Sequence, residues 1–418
     1  MSTNSHRGAL AGVKVLDLSR VLAGPWCTQL LADLGADVVK VERPEVGDDT
    51  RHWGPPFLTD DAGNRTNQAS YYTSCNRNKR SITIDMAKPE GQALIRQMAA
   101  EADVLVENFK VGGLKAYGLD YESLKQVNPR LIYCSVTGFG QTGPYAERAG
   151  YDLMVQAMSG LMSITGHADG EPGGGPLKVG VAVIDVFTGL YAANAVQAAL
   201  HARYVSGEGQ HIDMALLDVS MAILANQASS YLTTGVAPGR AGNMHPSLAP
   251  YQDFASADGN VLLAIGNDGQ FKRYCEAIGE AQWAQDARFA TNTARVQHRG
   301  DLLALMVPVM KTRTTQEWIA LFEDKAVPCG PINTIADAFD DEQVKSRGLR
   351  VELPRWENAA VQDGVSQIPG VANPIRMSGT PVSYRNAAPA LGQHTDEVLH
   401  EMGLSAEAIA ALRDGKVV

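Results

Sequence analysis

The sequence predicts an α/β fold, a parallel sheet covered by helices, joined to a smaller α+β domain. Three observations carry this. Over roughly the first 110 residues, short apolar β-branched runs alternate with helical periodicities, the pattern of repeated β-α-β units. The composition shifts after Gly235 and returns to mixed segments after Pro328, which divides the chain into 1–225, a smaller 226–328, and 329–418 returning to the large domain. With 418 residues, 45% of them hydrophobic and 20% charged, the chain is long and apolar enough for two cores.

The elements follow in order. VKVLDLS (13–19) reads as a strand, and GPWCTQLLADLG (24–35) as a helix with Pro25 in its first turn and Gly35 as its C-cap residue. ADVVKVE returns as a strand leading to Arg43, after which PEVGDDTRHWGPPF is a polar loop. KRSITIDM is a strand, KPEGQALIRQMAAEA a helix opened by Pro89 and Glu90, and DVLVENF and RLIYCSVTGFG are strands. Ligands on parallel sheets bind beyond the carboxyl ends of the strands, here the loops after Leu18, Val41, Ile84, Val106 and Val136. GHADGEPGGGP (166–176) is a flexible loop, a lid or linker, because no GK[ST] or GxGxxG context makes its glycines a phosphate cradle. GVAVIDVFTGLYAANAVQAAL (180–200) reads as a buried strand running into a helix. Beyond 226, DGNVLLAIG is a strand, and DGQFKRYCEAIG and RGDLLALMVPVMKTRTTQEWIALFEDKAV are helical. The last helix has Ser405 as N-cap, Glu407 in its first turn and Gly415 as C-cap.

Composition removes several function classes. The net charge is −10 without Lys or Arg runs, which favours neither nucleic acid nor an anionic membrane. Cysteines at 27, 75, 134, 275 and 329 are odd in number and widely spaced, so neither a disulfide framework nor a zinc site is expected; no metal is assigned. The opening MSTNSHRGALAG has no apolar run of the secretory kind, and a cytoplasmic location is expected. Arg43 and NRNKRS (76–81) are the best local anion sites, with solvated surface charge as their alternative.

The one conspicuous acid is Asp185, set in the apolar 180–200 stretch. A buried charge costs several kcal/mol unless it is partnered, so its presence calls for an explanation. Three roles compete. It can cap the following helix, which the local sequence favours. It can bind a metal, although no His or acid lies at ligand spacing. Or it can be a covalent nucleophile at a strand-to-helix turn, kept ionised by helix N–H dipoles.

The segment LAGVKVLDLSRVLAGPWCTQLLADLGADVVKVERPEVGDDTR, followed in order by NRNKRSITIDM, ADVLVENF, NPRLIYCSVTGFG, AGYDLMVQAMSGLMSITG, GVAVIDVFTGLYA and LGQHTDEVL, carries a resemblance to the class III CoA-transferase (CaiB/BaiF) family. The resemblance covers essentially the whole chain. It implies a large Rossmann-like domain, a smaller domain, and an interlocked ring-shaped homodimer. It places Asp185 at the catalytic aspartate and makes coenzyme A a substrate, with no further cofactor. The CoA contacts it implies are Val21, Leu22, Arg43, Ile84, Asp85, Met86, Ala87, Asn108, Phe109, Lys110, Ala149, Tyr151 and Asp152. Tyr71 and Asp152 match positions lining the transferase site, and His245 in NMHPSLAPY is a further substrate-lining candidate.

Two departures sharpen the reading. Leu22 stands where formyl-CoA transferases have Gln, and NMHPSLAPY replaces their glycine-rich loop, which argues against oxalate as acceptor. Family racemases need a His and a Glu where this chain has Tyr151 and Gln252. Gln252 cannot exchange a proton, so transfer is favoured over the alternative, an acyl-CoA racemase or epimerase. The expected partners are an acyl-CoA, in style succinyl-CoA, and a small dicarboxylic acid. Arg20, Arg77, Arg148 and His245 are the candidate cations for the distal carboxylate.

Overall fold

The computed structural model describes residues 8–356, 365 and 367–418. The chain divides into two compact units, one of Met1–Leu161, Val179–Gly235 and Lys345–Val418, the other of Met162–Lys178 and Val236–Val344. The boundaries differ from those read in the composition. Residues 329–331 are a strand of the smaller unit's sheet, so the chain returns to the large unit only at Lys345. The glycine-rich 166–176 loop also belongs to the smaller unit, where His167 bridges to Gly174 and Gly242 N–H donates to the Gly166 carbonyl.

The large unit is built on six parallel strands: β1 (Lys14–Asp17), β2 (Asp37–Glu42), β3 (Lys79–Thr83), β4 (Val104–Glu107), β5 (Ile132–Thr137) and β6 (His211–Ala215). Their order is β3-β2-β1-β4-β5-β6, the doubly wound arrangement, with the direction of winding reversing between β1 and β4. Helices cover both faces. On one, α1 (Ala23–Asp33) packs with the long helix at 183–206 over Val15, Val38, Val104 and Val136. On the other, α2 (Pro89–Glu101) and α3 (Tyr121–Val127) pack over Leu16, Val39, Ile82 and Leu105.

Helix α1 ends as its sequence predicts. Gly35 takes φ +104, and the N–H groups of Gly35 and Ala36 return to the carbonyls of Ala32 and Leu31, a paired C-terminal closure that glycine makes without strain. Before the long helix come the short α4 (Asp152–Met158) and the turn Leu161–Ile164. The 180–200 stretch contains no strand: α5 spans Val183–Ser206 as a single helix. Its buried residues Ile184, Thr188, Ala192, Val196 and Ala199 recur every three or four positions, so one stripe is core. Gly189 lets α1 come close, since a Cβ there would lie 2.7 Å from the Ala23 carbonyl oxygen. By length and composition α5 could cross a membrane; in this fold it is the core helix beneath α1.

Helix α6 (Leu216–Ile223) follows β6. The smaller unit holds an antiparallel sheet of β7 (Tyr251–Ala255), β8 (Asn260–Ala264) and β9 (Cys329–Pro331), in the order β9-β8-β7. It is packed by α7 (Asp268–Ala277), α8 (Arg299–Met310) and α9 (Thr315–Asp324) around Phe271, Tyr274, Trp318 and Phe322. A capping box on Thr314 and Glu317 splits what reads in sequence as one helical run into α8 and α9.

The C-terminal segment completes the large unit. The His394 N–H donates to the Ser81 carbonyl, and Ser81 N–H returns to His394 Nδ1 at 3.1 Å, tying LGQHTDEVL to β3. From there α10 (Thr395–Glu401) and α11 (Ala406–Asp414) lay Val398, Leu399 and Ile409 on the second core.

Candidate active site

The polar residues gather where the sheet topology sends them. One cavity of about 210 Å³ opens at the carboxyl ends of β1, β4 and β5; Val21, Leu22, Asn108, Lys110, Ala149, Tyr151 and Asp185 line it. A second, also about 210 Å³, lies beyond β1, β2 and β3, where Arg43, Ile84, Asp85, Met86 and Ala87 meet. Phe109, Arg20 and Asp49 belong to both walls. The Arg20 guanidinium sits 5.3 Å from the Phe109 ring centre and 3.3 Å from Asp49. Residues drawn from five strand ends thus flank one continuous edge, as the winding reversal between β1 and β4 requires.

Asp185 sits in the first turn of α5, its third residue, and is not the cap. The capping oxygen comes from Asp152, at the start of α4, whose Oδ2 accepts from Ile184 N–H at 2.7 Å and Asp185 N–H at 3.3 Å. The Gln156 side-chain amide holds the other Asp152 oxygen at 2.5 Å and itself accepts from Val179 N–H at 2.9 Å. This overturns the local reading of Asp185 as cap, and with it the expectation that the helix N–H groups stabilise its charge. Those groups are spent on Asp152. Burial, and then repulsion from Asp152, push the Asp185 carboxyl up to about 7. Near neutral pH both its acid and carboxylate forms are populated, and the carboxylate is poorly solvated.

Tyr71 lies outside both cavity walls, yet burial and the nearby Asp185 charge raise its hydroxyl to about 12, so it stays a hydrogen-bond donor near that carboxylate. Its ring meets Trp53 edge-on at 5.2 Å. His245 lies in the smaller unit, tilted against Tyr251 at 5.2 Å, its Nδ1 accepting from Ser247 N–H at 3.1 Å. Arg77 is ruled out as a ligand cation. It is 6% exposed, forks onto Asp33 at 2.6 to 3.1 Å and donates to the Val371 carbonyl. Arg20, Lys110 and Arg148 are the cations on the Asp185 cavity. Arg148 stacks 4.4 Å from Tyr145, and Arg43 lines the neighbouring cavity.

Several contributors are invisible in local sequence. The Asn108 side chain clasps the Arg20 backbone, accepting from its N–H at 2.8 Å and donating to its carbonyl at 2.7 Å, which joins the β1 and β4 exits. Glu107, at the end of β4, is 6% exposed and accepts from Phe109 N–H at 2.8 Å. Burial lifts its carboxyl to about 7. An acid closing the apolar run DVLVENF was the available signal. Gly138 and Gly150 bring two backbones together so that residues 150–152 lie under the α5 start; a Cβ on Gly150 would sit 2.4 Å from Gly138 Cα.

Comparison with known proteins gives a consistent picture. A family model described as CoA-transferase family III matches residues 10–395. The chain is 54% identical to succinate–glutarate CoA-transferase of Agrobacterium fabrum, over 95% of this chain and 96% of the relative. It is 42% identical to the Homo sapiens succinyl-CoA:glutarate CoA-transferase, over 94% and 86% of the two chains. A CaiB/BaiF family protein from Brucella suis, solved by crystallography, is similar to it with TM-score 0.82 and 50% identity, covering 95% of this chain and 100% of that one.

Proposed function

The chain belongs to CoA-transferase family III, and from that premise we propose that it moves coenzyme A from succinyl-CoA to a second dicarboxylic acid of about glutarate's size, with Asp185 as the covalent nucleophile. The observation that carries this reading is the placement of Asp185. Its carboxyl faces the cavity at the carboxyl edge of the sheet, while Asp152 occupies the helix N–H groups that would otherwise stabilise its charge. The names of two relatives, both glutarate CoA-transferases, support the acceptor class.

The chemistry follows from a weakly solvated carboxylate. An Asp185 oxygen attacks the thioester carbonyl; the C–S bond breaks and the thiolate leaves with its electron pair, giving a mixed anhydride. The thiolate then attacks the Asp185 carbonyl carbon, a C–O bond breaks, and the donor departs as its carboxylate. Asp185 now carries CoA as a thioester. The acceptor carboxylate repeats the two steps in reverse and leaves as the new acyl-CoA, restoring Asp185. No net proton is gained or lost, so the nucleophile must be ionised but needs no general base, and the chemistry asks for no cofactor besides coenzyme A itself. Arg43, Arg20, Lys110 and Arg148 supply positive charge for phosphate and carboxylate groups. The apolar flanks of Asp185 limit water, which would hydrolyse the anhydride.

The same reading includes an interlocked homodimer in the cytoplasm. Its support is the outward side of α5 and the helix after α6, where Leu190, Tyr191, Tyr204 and Leu232 are 42 to 89% exposed. All five cysteines are free thiols.

The test is a mass-spectrometric assay of succinyl-CoA against a panel of mono- and dicarboxylic acids. We expect glutaryl-CoA to form by ping-pong kinetics, with a hydroxylamine-sensitive adduct on Asp185 in the presence of donor alone. Absence of exchange across the panel, or near-normal exchange by Asp185→Ala, would overturn the reading.

A further inference from the structure

Val21 is the anomaly at the mouth of the Asp185 cavity. It is β-branched, it is not glycine, and its φ is +70. L-residues avoid this region and β-branched ones avoid it most, so something must hold the residue there. Every backbone group leading into it is taken. The Lys40 ammonium donates to the Ser19 carbonyl at 2.7 Å. Asn108 clasps both polar groups of the Arg20 backbone. Val21 N–H lies 3.3 Å from each oxygen of Asp48.

Asp48 is itself held by Lys40 at 2.9 Å, and both side chains are fully buried. Thr50 adds its N–H at 3.0 Å and its hydroxyl at 2.8 Å. Burial works against the Asp48 charge, but Lys40 and Thr50 outweigh it and hold the carboxyl down at about 2. A buried ion pair is a poor way to gain stability, because apolar residues of like volume do as well or better. Its position is the informative fact. Lys40 and Asp48 lie on β2 and in its exit loop, yet both reach across to the β1 exit, beside which Leu22 and Ala23 open α1 and line the Asp185 cavity.

We propose that the Lys40–Asp48 pair is a positioning device for catalysis, which locks Val21 in the left-handed conformation and so presents the backbone of residues 21–23 to the acyl-CoA bound beside Asp185. Lys40 and Asp48 are positioning residues; neither lines that cavity, and Asp48 borders the neighbouring one with its side chain fully buried against Lys40.

The inference rests on the acyl-CoA transfer reading of the site. The experiment compares the charge-removing pair Lys40→Met/Asp48→Asn in two backgrounds, the parent and Val21→Gly, with kcat/KM for succinyl-CoA measured below each variant's melting temperature. Glycine adopts φ +70 without being held. The pair of substitutions is expected to lower kcat/KM at least tenfold in the parent and less than threefold in the Val21→Gly background. Equal losses in both would overturn the positioning role and leave the pair purely structural. If the double variant does not fold, the single substitution Asp48→Asn is compared in the same two backgrounds, and again an equal loss of kcat/KM in both would overturn the proposal. Failure of the transfer reading looks different, since the parent itself would then show no exchange.

Discussion

Replacing Asp185 with asparagine is expected to stabilise the protein while removing its activity, and the stabilisation carries a pH signature. Asparagine keeps the shape of the carboxyl and removes the charge. In the native chain the carboxyl is raised from 3.8 to about 7, so at intermediate pH the folded state holds a proton that the unfolded state releases. Below pH ~4 both states are protonated and the side chain is neutral in each, which leaves parent and variant alike. As pH rises from there the unfolded parent is favoured, and the penalty on folding is complete above pH ~7. At 1.36 kcal/mol per pH unit, the distance from 3.8 to about 7 sets a ceiling of about 4 kcal/mol. The side chain faces an open cavity, and screening there brings the expectation to about 2 kcal/mol. Denaturant midpoints of both proteins across pH 4 to 9 measure it. The difference should grow from near zero at pH 4 to about 2 kcal/mol at pH 8, with exchange lost at every pH. A difference that stays flat with pH, or a variant less stable at pH 8, would show that the Asp185 carboxyl is not held in the poorly solvated, repelled state described above.

Asp152→Asn keeps an oxygen for the Ile184 N–H but removes the charge that, after burial, raises Asp185; the acid limb of kcat/KM against pH, expected near 7 in the parent, should move to lower pH. Gly150→Ala puts a Cβ 2.4 Å from the Gly138 Cα and forces the two backbones apart; a loss of about 1–3 kcal/mol in thermal or chemical denaturation is expected, with activity lowered because residues 151 and 152 shift with the strand exit. Arg77→Met strands Asp33 and should cost about 3–5 kcal/mol in a denaturant titration. Its KM for the dicarboxylic acid should stay unchanged below the melting point, whereas a binding arginine would show the reverse.

Much of the fold was legible because it is local. The β1, β2, β3, β4 and β5 runs, the Pro25 and Pro89 helix starts and the Gly35 closure depend on residues within a few positions of one another. The rule that ligands gather beyond parallel strand ends points to the same loops that line the two cavities. The domain limits were less legible because pairing across sequence decides them: residues 329–331 look like mixed chain until β8 is beside them. The strand expected before α5 is absent as well. Among the described residues, 180–182 form no strand, and α5 begins directly after them.

The Asp185 cap failed for a more instructive reason. Composition shows that an acid lies near a helix start, but one turn separates an acid that closes the helix from one presented by it. That turn is set by Asp152, 33 positions away, just beyond the close approach of Gly138 and Gly150. The two carboxylates divide a conflict that neither could resolve alone. A single acid holding the N–H groups would be ionised but too well solvated to attack. A single acid without them would be buried at a cost with nothing to orient its helix. With Asp152 as cap, the start of α5 is fixed and Asp185 is left poorly solvated, its carboxyl raised to about 7. On the proposed nucleophilic role of Asp185, the reactivity of the site is a property of the pair, and substitution of Asp152 should alter the pH at which Asp185 works before it alters what Asp185 does.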